Sequence, residues 1–203
     1  MGRRQSGSTT ASLRERLAQA AARLMMENGI EDFGLAKRKA AEKLGVRDLG
    51  ALPSNQQIAE SLAERQRIFE ADTHPHRIEN LRRTALSVMD LLAPFEPRLV
   101  GAVLAGTATI SSPIELHAFS DAPESIVWQL AEHGVNVRDC ERRYRYGSKL
   151  AAQIPAYRFV MNGAEVVVAA FPENGIRQAP LSPVDQKPMR RAPRSEVAEL
   201  VDD

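Results

Sequence analysis

The residues of this chain best suited to chemistry gather between positions 106 and 165. Glu115 and His117 stand two residues apart in the stretch Ile114–Phe119. If that stretch is a strand, both side chains leave the same face. A carboxylate and an imidazole so placed can share a metal ion, with Glu165 as a third donor. The plainer use of His117 is a hydrogen bond to its neighbours. Upstream, Gly106-Thr107 offers a backbone open to close approach beside a hydroxyl, which suits a phosphate oxygen. Arg138, Arg142, Arg143, Arg145 and Lys149 crowd one segment with Tyr144 and Tyr146, and Arg190 and Arg191 are candidates to join them from later in the chain. Guanidinium forks match phosphate oxygens, so Arg142 and Arg143 are the candidate phosphate-binding arginines. The alternative is an edge strand kept soluble by charge, with Asp139 and Glu141 partly neutralising it. His74-Pro75-His76 has no further ligand beside it and reads as a surface turn. The single cysteine, Cys140, excludes an internal disulfide and a cysteine-rich zinc site, and favours a reducing compartment.

Something must position these groups, and the hydrophobic periodicity divides the chain near residue 97. Residues 1–10 read as a disordered start. Residues 11–97 read as a helical region. The first helix is expected to open at Ser12, paired with Glu15 as a capping box, and to stop at Gly29. A second spans Gly34 to Leu44, with Lys37, Arg38, Lys39 and Lys43 outward. A third starts at Ser54, with Gln57 completing a capping box, and a fourth near Pro75. From residue 98 to 171 the period changes to that of strands. Leu99 to Ala105 reads as a buried strand, Ile114 to Phe119 as a second, Ser120 to His133 as a helix and Val135 to Tyr146 as a charged strand. Tyr157 to Met161 and Glu165 to Phe171 flank Asn162-Gly163, the strongest short hairpin signal. The fold class is therefore α+β: an N-terminal helical region followed by a mixed sheet with flanking helices. Pro172, Pro180, Pro183, Pro188 and Pro193 exclude a helix or central strand over 172–193, which reads as an extended strap before a short helix from Ser195.

The stretch from Leu104 to Phe119, L-A-G-T-A-T-I-S-S-P-I-E-L-H-A-F, resembles the signature of the nucleotidyltransferase superfamily, the fold of DNA polymerase beta. That signature is an apolar strand, Gly-Ser, a turn, then Asp-apolar-Asp on the next strand. The resemblance places Gly106 on the glycine, Thr107 on the serine and Glu115 on the second carboxylate. It implies Glu115 and Glu165 as catalytic and metal-binding residues; His117 is a further candidate metal ligand only through its place on the same strand face. It implies magnesium as cofactor, bound weakly, because Pro113 replaces the first carboxylate. The implied function is a divergent nucleotidyltransferase-like protein that binds a nucleotide or other phosphate ligand at a degenerate metal site.

The helical half carries a competing resemblance. Leu17 to Val46 is similar to the start of TetR-type repressors, an Ala-rich helix and then Ala-Glu-Lys-Leu-Gly-Val. It implies a non-enzymatic regulator or adaptor, with DNA contacted through that half. DNA is the less expected partner: Lys+Arg 27 against Asp+Glu 26 leaves a net charge of +1, so no global field draws the protein to nucleic acid. No run approaches the ~18 apolar residues of a membrane span. A cytoplasmic protein without a membrane partner is expected, and its oligomeric state is left open.

Overall fold

The structure, a computed structural model, describes residues 5–147 and 150–202. The chain forms two compact units. One comprises residues 5–74 with 109–111 and 183–185, and the other comprises the remaining described residues.

The first unit is helical. Helix α1 (Gln5–Asn28) opens well before Ser12. The capping box at Ser12 is therefore not formed, and residues 5–10 are helical where a disordered start is expected. Residues 1–4 lie outside the described residues. No proline precedes Pro53, so nothing halts the helix beyond its apolar stripe. Gly29, at φ +63°, ends it. Helix α2 (Phe33–Lys43) starts at Asp32, whose carboxylate accepts from the Leu35 N–H at 2.5 Å. Helix α3 (Asn55–Phe69) starts with the capping box of Ser54 and Gln57. Leu17, Ala18, Ala21, Ala22 and Met25 of α1 bury against Ala36 and Ala40 of α2 and against Ile58 and Leu62 of α3. Between α2 and α3 lies a long connection with a 3-10 turn at Leu49–Ala51. A helix-turn-helix needs a turn of three or four residues, so the repressor-like reading loses its recognition helix.

In the second unit, helix α4 (Thr73–Leu91) turns Ile78, Ala85, Val88 and Met89 toward the sheet. The units therefore divide near residue 74, not near 97. Periodicity reveals which face of α4 is buried but not what buries it. There follow β1 (Arg98–Val100), the short helix α5 (Gly101–Ala105), β2 (Ile114–Phe119), α6 (Glu124–Glu132), β3 (Arg138–Tyr146), β4 (Leu150–Met161), β5 (Ala164–Phe171) and α7 (Arg194–Asp202). The sheet order is β1-β2-β5-β4-β3, with β2 and β5 parallel and the other neighbours antiparallel. The mixed sheet with helices toward the N-terminus agrees with the coarse α+β reading. Two details differ. Leu99–Ala105 is strand only to Val100, because Gly101, at φ +71°, breaks the extended backbone and starts α5. Strand β4 runs back to Leu150 through Pro155. Pairing with β5 ends at Ala156, so Pro155 lies where β4 has a neighbour on one side only and its missing N–H costs nothing. The hairpin turn is Asn162-Gly163, with φ of 50° and 77°.

One face of the sheet is the main core. Ile114, Leu116 and Ala118 of β2 and Val166, Val168 and Ala170 of β5 bury there against Val88, Met89, Leu104, Ile126, Leu130 and Val197 from the helices. Of the proline-rich segment, residues 172–182 and 186–193 belong to this unit; they lie on the other face and bond to both edge strands. Leu181 N–H donates to Arg145 O on β3 at 2.7 Å, and Leu99 and Ala192 exchange two bonds of 2.9 Å on β1.

Candidate functional site

Strands β2 and β3 are separated by β5 and β4, yet their side chains touch. Tyr144 Oη lies 3.1 Å from His117 Nε2, and Arg142 Nη2 lies 3.6 Å from Glu115 Oε1. The sheet must therefore curl about this face into a trough. Its floor permits the curl: His117 stands opposite Ala169, Ala169 opposite Ala156, and Ala156 opposite Cys140. Small residues in that row let the outer strand fold back over the middle ones.

His117 is fully buried, its ring 4.4 Å from that of Phe171 and 5.1 Å from that of Tyr144. Its Nδ1 accepts from Arg191 Nε at 2.9 Å. Nδ1 therefore carries no proton, and the proton on Nε2 is donated to Tyr144 Oη. Burial, reinforced by the charge of Arg191, holds the imidazole well below its ordinary pKa and so neutral. Arg191 also donates from Nη1 to Gly175 O at 2.7 Å, and its guanidinium lies over the rings of Phe119 and Phe171 at 5.2 and 4.9 Å. Burial lowers its pKa. Burial, and next the nearby Glu115 charge, raises that of the Tyr144 phenol, which stays protonated.

At the open end of the trough, the side chains of Glu115 and Arg142 keep 33% and 29% of their surface accessible. Glu115 is paired in register with Val100, so its carboxylate meets the next residue, Gly101. A Cβ there would collide with Glu115 Oε2, and the positive φ also demands glycine. Burial raises the Glu115 pKa, opposed by the charge of Arg142.

Several residues singled out in the sequence fall elsewhere. Gly106, at φ +72°, is the C-terminal cap of α5. Carbonyls point out there, and Arg82 already donates to those of Val103 and Leu104 at 3.4 and 3.3 Å. The Thr107 N–H is bonded to Ala102 O at 2.9 Å. The Gly106-Thr107 turn is thus the wrong end of a helix for a phosphate. Glu165 does not stand opposite Glu115, since that place is taken by Val167. It is ion-paired with Arg158 at 2.5 Å, in a groove of about 630 Å³ also lined by Arg138 and Val160. His117 has both ring nitrogens engaged, by Arg191 and by Tyr144. Arg143 is exposed on the side of β3 opposite Arg142, because neighbours on a strand alternate. Arg190 pairs with Glu196, while Arg191 enters the trough. His74 faces Glu70 at 3.7 Å. Lys149 lies outside the described residues.

Magnesium does not fit this donor set. Among the described residues no three His, Cys, Asp or Glu side chains converge, and the one carboxylate of the trough faces an arginine. Sequence reasoning missed Gly101. The signal was present, a glycine inside the apolar run Leu99–Ala105, where a strand gains nothing from one. Among the described residues no helix is long and apolar enough to cross a membrane. Comparison with known proteins finds no matching family profile, and no curated protein or solved structure of significant similarity.

Proposed function

We propose that the sheet unit binds a phosphate-bearing ligand, a nucleotide, in the trough at Glu115 and Arg142, as a divergent nucleotidyltransferase-like protein without robust transfer activity. The observation that carries this reading is the Glu115–Arg142 pair set against Gly101, directly after β1. An apolar strand, a glycine opening a short helix, a turn and an acidic residue on the returning strand follow one another here, with the glycine at 101 and not 106. Ala102 then occupies the position of the signature's hydroxyl, and Pro113 that of its first carboxylate. Both losses weaken metal-dependent chemistry while leaving a cationic, partly open site. Calorimetric titration of ATP with and without magnesium tests this. The natural chain is expected to bind ATP equally in both conditions. Pro113→Asp places two carboxylates two residues apart and is expected to make binding magnesium-dependent, and Glu115→Ala in that background removes the dependence. Efficient nucleotide transfer by the natural chain would overturn the reading.

A further inference from the structure

Two guanidinium groups enter the trough from different elements, Arg142 from β3 and Arg191 from the segment crossing the face. Each keeps one fully buried donor nitrogen with no acceptor among the described residues, Arg142 Nε and Arg191 Nη2. Buried donors on a charged group are rarely left unbonded, and such a donor calls for an acceptor that the chain itself does not provide. The near neighbours are already used. His117 Nδ1 is taken by Arg191 Nε, Gly175 O by Arg191 Nη1, and Tyr144 Oη by His117. The charges are also unbalanced. Glu115 and His117 face the trough from β2, Arg142, Tyr144 and Tyr146 from β3, and Arg191 from the crossing segment; Arg98, near Arg191, is paired with Glu96 at 3.2 Å. With the imidazole and phenols neutral, the trough carries one carboxylate, paired with Arg142, and two guanidinium groups. The carboxylate's pair with Arg142, at 3.6 Å, is longer than a hydrogen bond.

We propose that the trough holds a single phosphate group between Arg142 and Arg191, and that the crossing segment closes on it through Arg191. This rests on the phosphate-ligand reading above and extends it by making residues 186–193, which carry Arg191, part of the site. A tetrahedral phosphate presents enough acceptor oxygens to serve two forks at once, and its negative charge balances the excess cation. The hydrogen bonds of Leu181 to β3 and of Ala192 to β1 hold the segment at both sheet edges, so a ligand drawn onto Arg191 tightens both.

The experiment titrates sodium phosphate and, separately, magnesium-free ATP into the full chain and into Arg142→Gln, Arg191→Lys and Arg143→Gln. Amide hydrogen exchange is followed at Leu181 and Ala192. Phosphate is expected to bind the natural chain and Arg143→Gln alike, at least tenfold more weakly Arg142→Gln and Arg191→Lys, and to slow exchange at both amides. Lysine keeps the charge but not the fork, so unchanged binding by Arg191→Lys overturns the role of Arg191. Should Arg191→Lys fail to fold, Arg142→Gln, altered at the partly open end, decides whether the trough is the site. No phosphate binding by the natural chain at millimolar concentration overturns the proposal. ATP bound without phosphate sinks this inference and spares the nucleotide reading; phosphate bound without ATP does the reverse.

Discussion

The two faces of the sheet use the same strands for opposite purposes. On the helix-covered face, Ile114, Leu116, Ala118, Val166, Val168 and Ala170 are all apolar and almost wholly buried. On the trough face, one residue along, stand Glu115, His117 and Phe119, with Val167, Ala169 and Phe171 beside them. The first face is closed by α4, α5, α6 and α7, the second by a proline-rich segment and a single arginine. Strand alternation thus places neighbouring residues in different surroundings, and only one of the two faces is built for stability alone. The other spends apolar area on charged and hydrogen-bonding groups whose value is geometric.

That contrast is broken most directly by cavity mutants. Leu116→Ala on the helix-covered face is expected to cost about 4 kcal/mol, and Ile154→Ala in the smaller trough cluster about 2 kcal/mol, both measured by urea denaturation. Equal losses would mean that the trough is as tightly packed as the main core. The next effect in size is at Arg191. Arg191→Ala leaves His117 Nδ1 and Gly175 O without their donor, and is expected to cost about 1–3 kcal/mol. Arg143→Ala, exposed on the outside of β3, stays within about 0.5 kcal/mol. A loss at 143 comparable to that at 191 would remove the distinction between the two sides of β3.

The smallest effect is a pH slope. His117 has a folded pKa well below the value of about 6.5 that it takes when unfolded. Below about pH 6.5 the unfolded chain therefore binds a proton that the folded chain refuses, and stability falls as pH falls through that window. His117→Gln is expected to flatten the slope between about pH 7 and 5.5, read from urea midpoints at each pH. Glu115 acts with the opposite sign. Its folded pKa is raised, so stability falls as pH rises from its ordinary value through the raised one. Glu115→Gln removes that second slope and leaves the first. A Glu115→Gln chain with no slope below about pH 6.5 would mean that His117 takes up its proton while folded.

Much of the architecture was legible because it is local. The capping box at Ser54 and Gln57, the stop at Gly29 and the Asn162-Gly163 hairpin each depend on a few adjacent residues. The strand Ile114–Phe119 was legible from a short apolar run, with Glu115 and His117 on its shared face. Errors arose where a local signal had two uses. Gly106 and Gly101 both adopt positive φ, but one ends α5 and the other starts it against Glu115. Arg142 and Arg143 look alike in sequence and are separated only by strand phase.

The chain by itself determined which residues could be helix, strand and turn, and which charged groups were available, since these follow from propensity, periodicity and capping within a few positions. Tertiary structure alone decided the rest. It assigned α4 to the sheet, because an amphipathic face does not name its partner. It curled the sheet over Ala169 and Ala156, so that Arg142 and Tyr144 reach Glu115 and His117 across two intervening strands. It also carried Arg191 back from 74 residues beyond His117. Such pairings are chosen by packing and hydrogen bonding summed over the whole unit, and no short stretch of sequence contains that sum.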